Sequence, residues 1–110
     1  MSGKEMTETK VQTLSEMVAY QPGSVVSRKV LGGKGGNVTL FAFAAGEGLT
    51  EHTTPYAALV VILDGEARIR IGGATHTVAE GETITLPAGV PHALDADVLF
   101  KMMLVMIKDG

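Results

Sequence analysis

The chain has 110 residues, a formal net charge of −3, 45% apolar residues and no cysteine. This length fits one domain. The absence of cysteine excludes disulfides, zinc–thiolate sites and thiol nucleophiles, and with no basic cluster there is no footprint for autonomous nucleic-acid binding, which needs concentrated Lys or Arg.

Only 19% of the residues are charged, so the apolar surplus of so small a domain must be covered somewhere. A second copy packed on an outer face is the simplest cover, because large apolar patches are uncommon on soluble monomers. A homodimer is therefore expected. The opening MSGKEMTETK is polar and holds no signal-peptide core. The run Ala57 to Leu63 is too short to span a bilayer. No membrane association is expected, and a cysteine-free chain suits the reducing cytoplasm.

Residues 1–10 read as a flexible arm and residues 11–110 as the single domain. Val11, Leu14, Met17 and Val18 are spaced like a short helical turn. Gln21-Pro22-Gly23 signals a turn. Ser24 to Leu31 reads as a strand rich in β-branched residues, and Gly32 to Gly36 as a flexible hairpin loop. Val38 to Phe43 follows, with Thr39, Phe41 and Phe43 on one face and Val38, Leu40 and Ala42 on the other. Both faces are mostly apolar, so both should be covered.

Ala58 to Leu63 is again apolar on both faces, and Asp64-Gly65 after it carries a hairpin signal. Glu66 to Ile71 alternates, with Ala67, Ile69 and Ile71 inward and Arg68 and Arg70 on a solvated face. Thr75 to Val78 and Thr83 to Leu86 are short strands between glycine turns. Pro91 to Leu94 resumes an extended path. Phe100 to Ile107 closes the chain, with Phe100, Met102, Leu104 and Met106 facing one way and Met103, Val105 and Ile107 the other. Many short strands at regular spacing predict an all-β sandwich or barrel.

Two segments of this pattern have a specific frame. Gly46, His52, Thr54, Ala58 and Gly65 are spaced as in the first cupin motif; Gly81, Pro87-Ala88-Gly89 and His92 are spaced as in the second. The sequence resembles a small single-domain cupin from about Ser24 to Ile107. The resemblance implies an antiparallel jelly-roll β-barrel with both histidines at one mouth. Gly46, Gly65, Gly81 and Gly89 stand where tight turns call for positive φ or close backbone approach. Pro87 interrupts the ladder so that the chain can bend and present His92 inward.

In metal-binding cupins, two His and one Glu of the first motif and one His of the second converge on a divalent metal. Here His52 and His92 occupy two of those places, and Thr54 and Ala58 occupy the other two. Ala cannot ligate and a neutral Thr hydroxyl is a weak ligand, so two imidazoles would hold a divalent transition metal only weakly. His76 shares parity with Val78 and could point inward, or it could be an ordinary exposed strand residue. Phe41, Phe43, Met102, Met103 and Met106 suit either an adaptable ligand pocket or plain core.

Three functions remain open at this point. The first is a small-molecule-binding barrel with His52, Thr54, Tyr56 and His92 as polar anchors. The second is a metal-dependent oxygenase or isomerase in which His52 and His92 hold the metal. The third is a non-catalytic structural or interaction module whose barrel supports dimer assembly; the two histidines are then framework residues bonded to each other, to Thr54 or to water.

Overall fold

A computed structural model describes residues 9–108. The expected N-terminal arm falls mostly outside them. A 3₁₀ turn, Leu14–Glu16, precedes eight strands: β1 (Val25–Gly33), β2 (Gly36–Phe43), β3 (Gly48–His52), β4 (Ala57–Ile71), β5 (Ala74–Ala79), β6 (Thr83–Leu86), β7 (His92–Asp95) and β8 (Phe100–Ile107). All pairings are antiparallel. One leaf runs β1-β2-β8-β4-β6 and the other β3-β7-β4-β5. The all-β jelly-roll expectation holds.

The two leaves share β4. Its first half, Ala57 to Gly65, pairs with β8, and its second half, Glu66 to Ile71, pairs with β5. Asp64-Gly65 is therefore not a hairpin turn, as its sequence suggested, but the corner where one strand passes between leaves. The register slips between Ile62 and Asp64, and Gly65 adopts φ 73°. A Cβ there would overlap the Leu99 carbonyl oxygen. A glycine at positive φ next to a register slip is how a strand bends without ending.

The expected loop at Gly32–Gly36 is also smaller than its glycine content suggested. Gly33 pairs with Gly36, so only Lys34 and Gly35 turn. A side chain on Gly36 would collide with the Met106 carbonyl, so glycine lets β2 approach β8 closely.

Alternation within the strands separates two cores. Inward residues Phe43, Val60, Ile62, Ile69, Leu94, Phe100 and Met102 fill the space between the leaves. Phe43 and Phe100 stack with ring centroids 4.5 Å apart. The opposite parity of β2 places Leu40 and Ala42 against Val18, with Leu14, Met17, Tyr20 and Met103 around them. This second cluster is the cover that the doubly apolar β2 required. Three bonds hold the N-terminal segment there: Tyr20 Oη donates to Asp64 Oδ2 at 2.6 Å, Lys101 Nζ to the Ser15 carbonyl at 2.6 Å, and Arg28 Nη1 to the Met17 carbonyl at 3.0 Å. Burial, then the Asp64 carboxylate, raises the Tyr20 pKa above its ordinary 10.0, so the phenol keeps its donor proton. Among the described residues no helix is long and apolar enough to cross a membrane.

Candidate functional site

The two histidines meet across a strand pair. His52 ends β3, His92 begins β7, and they are register partners. Their ring centroids lie 4.4 Å apart with planes at 67°. Each arrives there for a local reason. The β3–β7 register shifts between Leu49 and His52, which re-aims the end of β3. β6 stops at Leu86, and Pro87 to Pro91 carry the chain across before β7 starts. That connection is pinned where Gly89 N–H donates to the Thr54 carbonyl at 2.8 Å and Gly72 N–H to the Pro91 carbonyl at 2.9 Å. Gly46, Gly65, Gly81 and Gly89 all have positive φ, as their places in the motifs predict.

Hydrogen bonding sets the tautomer of both rings. His52 Nδ1 lies 2.9 Å from the Thr50 carbonyl oxygen, and His92 Nδ1 lies 3.3 Å from the Val90 carbonyl oxygen. A carbonyl only accepts, so each Nδ1 carries the hydrogen and each neutral ring leaves Nε2 as an acceptor. His92 is 6% exposed, and His52 is exposed. Burial lowers the His92 pKa below its ordinary 6.5, the Val90 carbonyl opposes this, and the His52 ring adds to the lowering. His92 is therefore a neutral acceptor at neutral pH.

A cavity of about 60 Å³ opens beside them, lined by His52, Thr54, Tyr56 and His92 among apolar side chains. That is room for about four waters. All four expected anchors reach it. The Thr54 hydroxyl is already engaged, donating to the Tyr56 carbonyl at 3.0 Å and receiving the Tyr56 N–H at 3.3 Å. Tyr56 is 37% exposed, with the Lys108 ammonium 5.7 Å from its ring centre.

Of the ambiguous apolar residues, Phe41, Met102 and Met106 line the cavity. Phe43 is core, and Met103 faces the N-terminal segment. His76 is exposed on β5, away from the cavity lining. Arg68 and Arg70 are solvated and pair with Asp97 at 3.1 Å and Asp95 at 3.8 Å. Leu49, Leu86, Leu94 and Leu104 also line the cavity and were not singled out from sequence. Their parity with core residues was the available signal.

The donor set does not fit a resident metal. Catalytic sites of this kind use three protein ligands. Among the described residues no three His, Cys, Asp or Glu side chains cluster to hold one. Ala58 is buried in the cavity wall, and Thr54 spends its hydroxyl on backbone.

The comparisons with known proteins agree with this architecture. The cupin domain family matches residues 39–108. A conserved protein of unknown function from Streptococcus pyogenes is 37% identical over 96% of this chain and 92% of its own, with a TM-score of 0.89. A Cupin 2 conserved barrel domain protein from Leptotrichia buccalis is 38% identical over 86% of this chain, at TM-score 0.82. The match spans 46% of that longer protein. A cupin superfamily protein from Desulfitobacterium hafniense, 24% identical over 94% of this chain and 95% of its own at TM-score 0.87, shares the fold. No curated protein matches the sequence. The chain belongs to the cupin family.

Proposed function

We propose that this cupin binds a small molecule at the mouth between His52 and His92. The paired imidazoles carry the reading. Each has its Nδ1 fixed on a carbonyl and its Nε2 left as an acceptor beside an apolar cavity. A ligand with a short apolar body and a polar head suits that wall, since pockets combine apolar lining with a few placed polar groups. Tyr56 supplies a third polar contact at the rim. A metal-dependent oxygenase or isomerase is the second reading; the two available Nε2 atoms favour it and the missing third ligand weighs against it. The cysteine-free chain suits a reducing cytoplasm.

The test is an amide and imidazole NMR screen against small apolar compounds with one polar head. Shifts at His52, His92, Leu94 and Met106 are expected, and His92→Ala should abolish them. A screen that leaves those signals unmoved, or binding that survives His92→Ala, removes the reading.

A second copy of the chain is proposed on the outer face of the first leaf. There Leu31 is 66% exposed, Ile107 49% and Leu59 38%. Val38 and Val105 lie between Leu31 and Leu59 in register. Across three strand spacings of about 4.8 Å each, this is a continuous apolar stripe that the described part of the N-terminal segment leaves uncovered. Light scattering should report a dimer at micromolar concentration, and Leu59→Glu should shift it to monomer. A wild-type monomer removes the proposal.

A further inference from the structure

The inner face of the first leaf does not end at the cavity wall. Leu104 and Met106 line the cavity. On β2 their register partners are Thr39 and Asn37, and directly paired residues share a face about 5 Å apart. One strand further out, Lys29 pairs with Thr39 and Gly32 with Asn37. The apolar wall thus continues into a polar strip on β2 and β1.

That strip presents donors. Thr39 Oγ1 donates to Asn37 Oδ1 at 3.1 Å. With its oxygen engaged, the Asn37 amide offers two N–H groups. The Lys29 side chain lies across Gly32: a Cβ on Gly32 would overlap the Lys29 Cε, with Nζ at 2.8 Å and the Asn37 Cβ at 3.4 Å. Gly32 has no positive φ to explain it; the missing Cβ leaves the space that the end of the Lys29 side chain occupies, on the face that carries Asn37. Among the described residues, Lys29 enters neither ion pair. An ammonium and an amide NH₂ on one face of the same strand pair complement an anion.

We propose that Lys29, Asn37 and Thr39 form an anion subsite on the rim of the His52/His92 cavity, and that the ligand is a small carboxylic acid. Its apolar tail enters over Met106 and Leu104, and its carboxylate rests between Lys29 and Asn37. This rests on the reading of the cavity as a ligand site. The strip is partly exposed, with Lys29 open to water and Asn37 and Thr39 half-buried, so solvent screens the charge and the gain is moderate.

The test compares hexanoate with hexanamide, which share a tail and differ in charge, by NMR titration of the wild-type protein, Lys29→Met and Asn37→Asp. Hexanoate should bind about tenfold tighter than hexanamide, the size of one charge-assisted hydrogen bond. In Lys29→Met the ratio should fall to about one, with the larger loss on hexanoate. Asn37→Asp should reverse the preference. Equal wild-type affinities with shifts at His92, or a preference that survives Lys29→Met, overturn the subsite and leave the cavity reading standing. Shifts of the Asn37 amide by hexanoate with no movement at His52 or His92 uphold the subsite and overturn the cavity reading. No shift at either place overturns both.

Discussion

Two substitutions should turn the histidine pair into a metal site. Thr54 and Ala58 line the same cavity as His52 and His92, so Thr54→His with Ala58→Glu would bring four ligands to one space. The four heavy atoms that Glu adds beyond Ala fit within a cavity of about 60 Å³. Without metal the variant should lose stability. Removing the Thr54 hydroxyl bonds costs about 1 kcal/mol, and a carboxylate in a buried wall costs several more unless it protonates. A total of about 2–4 kcal/mol leaves a domain of ordinary stability folded. Metal at about one hundred times its Kd would return about 2.7 kcal/mol, a rise of about 10–20 °C in Tm for a domain of this size. The assay is a thermal-shift series with Mn, Co, Ni and Zn against chelator on both proteins. The wild type should move by no more than a few degrees. An equally large wild-type shift, or a folded double variant blind to metal, would refute the argument that two missing side chains decide metal affinity.

Acid should weaken the fold through His92. Its folded pKa lies below the unfolded value of 6.5, so the unfolded chain binds the proton first; the contribution is intact above about pH 6.5 and is lost as pH falls below it. Urea midpoints from pH 8 to 5 should fall more steeply for wild type than for His92→Asn, which keeps the donor to Val90 without the titration. Parallel curves would contradict the burial argument. Tyr20→Phe deletes the 2.6 Å bond to Asp64 and should cost about 1–3 kcal/mol by urea denaturation, with no change at the histidine signals. Gly65→Ala forces a side chain against the Leu99 carbonyl at φ 73°; about 1–3 kcal/mol should be lost, and an unchanged Tm would show that the corner tolerates a Cβ.

The strands were legible where period-2 alternation ran unbroken. β6 and β8 start and stop at the residues the pattern marks, and Arg68 and Arg70 alternate outward as the pattern requires. Asp64-Gly65 reads locally as a hairpin because a hairpin and a strand bend both use a glycine at positive φ. Only the distant partner, Leu99-Phe100, distinguishes them, and local sequence does not name it. Gly32 to Gly36 reads locally as slack because its other use, permitting close strand approach, leaves no mark in the sequence. At the site, motif spacing located His52, Thr54 and His92. Nothing local placed Asn37 and Thr39 beside Met106 and Leu104, since that adjacency is a matter of register between strands some sixty-five residues apart, as the pairs Asn37–Met106 and Thr39–Leu104 show.

Because β4 runs for 15 residues through both leaves, the barrel has no seam at its middle. Had Asp64-Gly65 been a surface hairpin, it would have been a natural place to cut the chain, graft a peptide or begin a circular permutant. Here such a cut severs the one segment common to the histidine-bearing leaf and the leaf with the N-terminal cover. Amide exchange along β4 should accordingly open as a single cooperative unit, so a disturbance at one end of the strand is felt at the other.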